Sequence, residues 1–279
     1  MNYRHAFHAG NFADVVKHAV LARIVMHLRK KDAAFRVIDT HAGTGRYNLA
    51  GNEALRGGEW REGIGRVWNA RFEPAAAALL APYRDAIRAF NPDGALTIYP
   101  GSPLLVREWL RPQDRLIACE LEDGAAQALA RNLRGDERAK AIAIDGWTAL
   151  TAYIPPKEKR GLVLIDPAYE ERDELARLAE AIGAALRKWK SGLFLAWYPI
   201  KDIRDIAAFV RALLSCGAEN SLRIELTRGG SDRTKLQGMG LIAVNPPWML
   251  EDEVRILLPA LAQALSPAAP CAMRIETLA

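Results

Sequence analysis

The sequence predicts an α/β protein of Rossmann-like architecture: a seven-stranded, mostly parallel sheet with a helical subdomain inserted into it. Three observations predict it. Short apolar runs rich in Val, Ile and Leu alternate with amphipathic stretches of helical period, the rhythm of strands buried on both faces beneath crossover helices. Carboxylates recur at the carboxyl ends of those runs. One interval between two of the runs is far longer than a strand-helix-strand unit needs.

The runs fall at 35–40 (FRVIDT), 115–120 (RLIACE), 140–146 (KAIAIDG), 161–167 (GLVLIDP) and 192–199 (GLFLAWYP). The first four carry Asp39, Glu120, Asp145 and Asp166 at their ends, and the fifth reaches Trp197, Tyr198 and Pro199. Residues 124–134, 174–186 and 202–214 have helical periodicity. Two later runs, 222–226 and 240–246, are joined by a Gly-rich, basic segment too short for a parallel crossover. They predict an antiparallel hairpin at one sheet edge, so that the sheet ends in a reversed strand. Beyond them, residues 266–273 read as a loose linker to a short tail. Asp39 and Glu120 stand 81 residues apart, whereas a strand-helix-strand unit takes about 30. Residues 48–98 are therefore expected to form the inserted helical subdomain, leaving 1–47 and 99–279 as the Rossmann-like domain with an N-terminal active-site tail. Trp60, Trp68, Arg61, Arg66 and Arg71 in the insert admit two readings: a face for nucleic acid, or a cap with its tryptophans packed inward.

A chain of 279 residues with 50% hydrophobic content can bury a full core, which excludes a disordered protein. The amino-terminal stretch carries His, Asn, Asp and Lys where a secretory leader would be apolar, and no run of 18 uncharged apolar residues follows. A soluble, cytoplasmic protein is expected. Cys119, Cys216 and Cys271 are far apart without C-x-x-C spacing and read as reduced packing residues, with neither disulfides nor zinc. The net charge of +5 and pI near 9.2 suit a polyanionic partner without demanding one.

Ligands of parallel α/β sheets bind beyond the carboxyl ends of the strands, which directs attention to DTHAGTGRY at 39–47. Gly43 and Gly45 permit positive φ and close approach of backbone to a ligand, while Asp39 and His41 add polar side chains. A dinucleotide fingerprint needs a third glycine where Asn48 stands, and no G-x-x-x-x-G-K-[ST] occurs. The loop therefore favours S-adenosyl-L-methionine over NAD or ATP. Glu120 is placed to accept hydrogen bonds from two ribose hydroxyls, and Asp145 from the cofactor's adenine amino group, with the Gly146 backbone nearby. A ligand-free turn and solvent-facing caps are the alternatives; three acidic strand ends in order favour the cofactor.

The fourth strand runs into Asp166, Pro167, Ala168 and Tyr169. An aromatic amine is a poor nucleophile because its lone pair is delocalised into the ring. Accepting hydrogen bonds from both N–H groups returns electron density to the nitrogen. The Asp166 carboxylate and Pro167 carbonyl are suited to this, and Tyr169 to stacking on an extruded base. The methyl then passes in line by proximity and orientation, with no metal. Such loops usually carry a second proline where this chain has Ala168, which loosens it. Asn245, Pro246, Pro247 and Trp248 match the pattern better as text, but they follow the edge hairpin and read as a strand exit with Trp248 in the core.

Tyr3, Arg4, His5, His8, Asn11, Asp14, Lys17 and His18 crowd the segment before the first strand. Asn11 and Asp14 have the spacing of an N-cap pair, and Val15, Val16, Ala19 and Ile24 supply an apolar helix face. Capping leaves Tyr3, Arg4, His5, Lys17 and His18 unexplained, and these are suited to folding over a cofactor carboxylate and a target base. Their histidine spacing matches no closed metal set. Arg228, Arg233 and Lys235, with Arg187, Lys188 and Lys190, are candidates for phosphate contact or ordinary solubilising charges.

With YRHAFHAGNFADVVKH, DTHAGTGRY, YPGSP at 99–103, LIDPAY and NPPW present in order, the chain resembles the bacterial ribosomal RNA large subunit methyltransferase J family over nearly its whole length. The resemblance implies a class I methyltransferase domain that uses S-adenosyl-L-methionine to methylate N6 of one adenine in 23S ribosomal RNA. It further implies that His18, His41, Ser102, Glu120, Asp145 and Gly146 hold the cofactor. Asp166 would be the proton acceptor, with Tyr3, His5 and Lys17 near the active site. A methyltransferase of the same fold acting on DNA or a small molecule, and a non-catalytic RNA-binding protein, are the alternatives. A monomer that engages neither membrane nor metal is expected.

Overall fold

The structure, a computed structural model, describes residues 4–171, 173–229 and 236–278. A 3-10 turn at His5–Phe7 leads into α1 (Phe12–Leu28), β1 (Arg36–Asp39) and β2 (Arg46–Asn48). Four helices follow, α2 (Asn52–Gly57), α3 (Glu59–Glu62), α4 (Ile64–Trp68) and α5 (Pro74–Ala89), and then β3 (Ile98–Pro100). The next part alternates: α6 (Ser102–Trp109), β4 (Arg115–Glu120), α7 (Asp123–Asn132), β5 (Ala139–Ala143), α8 (Gly146–Ala152), β6 (Gly161–Ile165), α9 (Glu174–Lys188), β7 (Leu193–Pro199) and α10 (Ile203–Ser215). The chain continues through β8 (Ser221–Thr227), β9 (Gly238–Val244), α11 (Leu250–Leu265) and β10 (Ala272–Leu278).

The main sheet has the order β10-β8-β9-β7-β6-β1-β4-β5. From β7 to β5 all pairings are parallel, whereas β9 is antiparallel to both β7 and β8, and β10 is antiparallel to β8. The sheet thus has eight strands rather than the seven expected, and its reversed strands are an interior one, β9, and an edge one, β10. The eighth comes from the tail: residues 272–278 pair with the whole of β8 and cover the row of backbone groups that β8 would otherwise leave open.

Strand side chains alternate between two apolar layers, as period 2 requires of strands covered on both faces. Val37, Leu162, Leu164 and Leu195 join the layer of α1, α5, α6 and α11, while Ile38, Val163, Ile165 and Phe194 join that of α9 and α10. Helix α1 is buried on every side, because α5, α6 and α11 pack around it. The expected face of Val15, Val16, Ala19 and Ile24 is therefore one part of a helix buried all round. Among the described residues, no helix is long and apolar enough to cross a membrane.

Residues 48–98 carry α2 to α5, and β2 pairs antiparallel with β3, Tyr47 opposite Tyr99. Ile64, Val67, Leu80, Tyr83 and Ile87 belong to the same apolar cluster as α1, and Trp60 and Trp68 pack partly buried against it. Arg61 lies 5.2 Å from the Trp60 ring centre, and Arg66 donates to the Leu265 carbonyl. The inward-packed reading of these tryptophans is the one the structure bears out. Cys119, Cys216 and Cys271 are free.

The crossovers leave β1 for β4 and β5 on one flank and return on the other at β6. A crevice at this switch point opens beyond the carboxyl ends of β1 and β6.

Candidate active site

A cavity of about 690 Å³ occupies that crevice, within the range of nucleotide-sized ligand sites. Its walls come from the first two turns of α1 and from the segments that follow β1, β4, β6 and β7.

On the β1 side, Gly43 (φ 60°) and Gly45 (φ 77°) turn the chain through the left-handed region. A Cβ at Gly43 would stand 2.3 Å from the Tyr47 hydroxyl. The Glu120 carboxylate ties this bend to β4, accepting from the Gly43 N–H at 2.9 Å, Leu121 N–H at 2.8 Å and Glu122 N–H at 2.9 Å. Glu120 lines the cavity and keeps acceptor capacity on Oε2. Ser102 and His18 also line it.

His41 is oriented through its neighbour. The Thr40 hydroxyl donates to the Leu164 carbonyl at 2.9 Å, so its oxygen accepts from His41 Nδ1–H at 2.8 Å. Nε2 of His41 is then the unprotonated nitrogen. Burial pushes the His41 imidazole down to about 4 and that of His18 down to about 3, so both are neutral at pH 7.

Four residues expected to hold the cofactor stand behind the cavity wall. Gly45 packs toward Pro103 and Leu129. Gly146 seats His41: a Cβ there would come within 2.3 Å of the Thr40 carbonyl and 2.6 Å of His41 Nε2. Asp145 caps α8, accepting from the Thr148 N–H at 2.8 Å and hydroxyl at 2.9 Å. Asp39 is fully buried, and neither of its oxygens has a hydrogen bond of normal geometry. Burial pushes its carboxyl up to about 7, and the nearby Ser102 hydroxyl draws it back.

The α1 side is built on charge. Lys17 donates to Asp14 at 2.8 Å and to Oδ2 of Asp166. Asp14 also accepts from His5 Nε2 at 3.0 Å and the Gly10 N–H at 2.9 Å. Asn11 caps the Asp14 N–H at 2.9 Å, as the spacing predicted. Burial alone would raise the Asp14 carboxyl, but Lys17 and His5 outweigh it and hold it well below the usual carboxylate range. Burial likewise opposes the Lys17 ammonium, and the two carboxylates more than restore it, so Lys17 stays charged. Oδ1 of Asp166 accepts no hydrogen bond from the described residues and is available to a ligand.

Pro167, Ala168 and Tyr169 continue the cavity wall. Tyr169 adopts φ 54°, uncommon for a bulky residue, and its hydroxyl donates to the Trp197 carbonyl at 2.6 Å. The two rings meet edge-on at 5.2 Å.

Other candidates lie elsewhere. Tyr3, Arg233 and Lys235 fall outside the described residues. Arg228 lies 4.2 Å from the Phe12 ring centre and pairs with Glu62 at 3.4 Å, so its guanidinium is engaged internally. Arg187, Lys188 and Lys190 sit between the end of α9 and the start of β7, at the end of the sheet opposite the cavity. Asn245 is at that opposite end too, because β9 runs antiparallel to β7. It donates to the Lys190 and Gly192 carbonyls, both at 2.8 Å, which confirms a strand exit. Trp248 is 80% exposed, not in the core: Pro247 and Leu250 are the buried members of that turn.

The sequence reading missed Thr40, Tyr47, Tyr99 and Trp197 as parts of the site. It also took Asp14 for half of a cap, although its spacing from Lys17, three residues along a helix, is itself the signal of an ion pair. Among the described residues there is no group of three or more His, Cys, Asp or Glu arranged to hold a metal ion.

Comparison with known proteins adds a second line. The family described as "Ribosomal RNA large subunit methyltransferase D, RlmJ" matches residues 32–276. The chain is 40% identical over 269 residues to "Ribosomal RNA large subunit methyltransferase J" of Escherichia coli K12, covering 96% of this chain and 95% of that protein. It is 38% identical over 269 residues to the Haemophilus influenzae protein of the same name, with the same coverage. It is also similar to the crystal structure of protein LPL1258 from Legionella pneumophila, with a TM-score of 0.89 and 34% identity over 98% of this chain and 99% of that one.

Proposed function

The chain belongs to the ribosomal RNA large subunit methyltransferase D (RlmJ) family, and on that premise we propose that it transfers a methyl group from S-adenosyl-L-methionine to N6 of an adenine in 23S ribosomal RNA. The observation that carries this reading is the Asp166 carboxylate, clamped by Lys17 on one oxygen and open on the other, in the same cavity as the glycine bend.

The residues present fit the cofactor. Gly43 brings bare backbone to the cavity wall, where a side chain would strike the Tyr47 hydroxyl, Glu120 offers acceptor capacity suited to a vicinal diol, and His18 and His41 add polar ring nitrogens. Ser102 stands at the start of α6 in the same wall. Asp145 and Gly146 act from behind His41 in this reading, and Asp39 from beneath the bend. Bound there, the cofactor supplies an electrophilic methyl group on a sulfonium.

The protein's own residues prepare the amine. Oδ1 of Asp166 accepts one N–H of the target amino group and the Pro167 carbonyl the other, which localises the lone pair on nitrogen. Asp166 then receives the proton that the methylated amine loses. Lys17, fixed by Asp14, keeps Asp166 oriented. Tyr169, braced by Trp197, offers a face to the extruded base, and His5 borders it. Residues 48–98 serve as an inserted subdomain, the protein acts as a cytoplasmic monomer, and no metal takes part.

Tritium transfer from labelled cofactor to 23S ribosomal RNA of a strain lacking the activity, followed by mass spectrometric mapping, tests this. One N6-methyladenine in 23S RNA is expected. No labelling of protein-free RNA at any salt concentration, or a preference for duplex DNA, would overturn it.

A further inference from the structure

Two of the four histidines that line the cavity, His18 and His41, have partners that give them opposite chemistry. His18 Nδ1 lies 2.7 Å from the Tyr99 hydroxyl, which lies 3.0 Å from the Tyr83 hydroxyl. Tyr83 and Tyr99 are 0% exposed, so bulk water does not reach the two hydroxyls. Among the described residues Tyr99 is the sole hydrogen-bond partner of the Tyr83 hydroxyl.

That count decides the direction of the chain. If His18 Nδ1–H donated to Tyr99, the Tyr99 proton would have to go to Tyr83, and the Tyr83 proton would be buried with no acceptor, an arrangement proteins avoid. In the other direction each hydroxyl has an acceptor: Tyr83 donates to Tyr99 and Tyr99 donates to His18 Nδ1. The neutral ring then carries its proton on Nε2, the nitrogen with no hydrogen-bond partner among the described residues, in a residue that lines the cavity. His41 is the mirror case, since the Thr40 oxygen accepts from its Nδ1–H and leaves Nε2 an acceptor.

We propose that Tyr99, which accepts from Tyr83, is the positioning residue that locks His18 as the Nε2–H tautomer, so that it donates to the carboxylate of the cofactor's amino-acid moiety. The assignment of that ligand rests on the function proposed above; the lock does not. Tyr83 comes from α5 and Tyr99 from β3. Residues that lie between β2 and α6 in sequence thus take a direct part in cofactor recognition. A donor at His18 and an acceptor at His41 also discriminate against ligands whose charges are reversed.

Histidine-selective ¹⁵N NMR of the full, cofactor-free chain reads the tautomer. The expected spectrum shows His18, assigned through loss of its signals in His18→Gln, with an unprotonated Nδ1 and a protonated Nε2. Tyr99→Phe should scramble the two forms and weaken S-adenosyl-L-methionine about tenfold, the loss of one hydrogen bond to a charged group. Tyr83→Phe should leave the Nε2–H form intact, because Tyr99 still donates. An Nδ1–H form of His18 in the parental protein, or an unchanged tautomer in Tyr99→Phe, overturns the lock. A parental protein that holds the Nε2–H form yet binds no S-adenosyl-L-methionine counts against the proposed function and not against the lock.

Discussion

The loops Asp166-Pro167-Ala168-Tyr169 and Asn245-Pro246-Pro247-Trp248 are alike as text and opposite in space. Each follows a fully buried strand, and each holds a non-glycine residue at positive φ, Tyr169 at 54° and Asn245 at 52°. Strand direction separates them. β6 is parallel to β1 and ends at the cavity, while β9 is reversed and ends beneath it. The same amide or carboxylate chemistry therefore meets different surroundings. Asp166 keeps an oxygen for a ligand, whereas Asn245 donates both amide hydrogens to backbone carbonyls. The aromatic that closes each loop follows suit: Tyr169 braces the cavity wall, and Trp248 faces away from the protein. A motif's meaning here depends on the end of the sheet at which it emerges.

Substitutions in the two loops sharpen this contrast. Asp166→Ala should lower kcat by about a hundred- to ten-thousandfold, the usual range for a lost acid–base group, while calorimetry shows cofactor affinity unchanged. A parental rate would remove Asp166 from the chemistry. Lys17→Met should cost about 3–5 kcal/mol in denaturant unfolding, because it leaves two carboxylates facing one another without their cation. The pH dependence should change sign. In the parental protein the depressed Asp14 carboxyl contributes stability above its ordinary value of 3.8, lost as pH falls below that. In the variant burial favours the protonated acid, so acid pH should lessen the deficit.

Asn245→Ala should destabilise by about 0.5–1.5 kcal/mol, since it removes an exposed hydrogen bond to the Lys190 carbonyl and a half-buried one to the Gly192 carbonyl, yet kcat per folded molecule should hold. A large loss of kcat there would mean the two ends of the sheet are coupled. Ala168→Pro breaks no hydrogen bond of the described residues, because the Ala168 N–H makes none. It should raise stability by about 0.4–1 kcal/mol, provided the site accepts the proline φ; a loss would show that it does not. Trp248→Ala should stay within about 0.5 kcal/mol, as an exposed position with no partner allows.

Much was legible before any coordinates. Hydrophobic period located the core strands and the helices α7, α9 and α10, because period depends only on neighbours in the chain. The glycine bend and the acidic strand ends were readable for the same reason, and one rule about parallel sheets placed them at a common edge. The resemblance to a known family, rather than any pattern of spacing, named Ser102 and the ribosomal substrate. Trp248 went astray because a tryptophan beside prolines looks apolar in any context, and only packing shows that it is not covered.

Local chemistry, then, was enough for the core strands, the bend and the choice of cofactor class. Long-range arrangement settled the rest: the pairing of residues 272–278 with β8, the meeting of Lys17 with Asp166 across 149 positions, and the reach of Tyr83 to the Tyr99–His18 pair. These depend on strand order, direction and burial, which arise from contacts between distant segments. A carboxylate at a strand end is visible as a letter, but whether its lone pairs face a lysine, a backbone amide or an open cavity is a property of the packed whole.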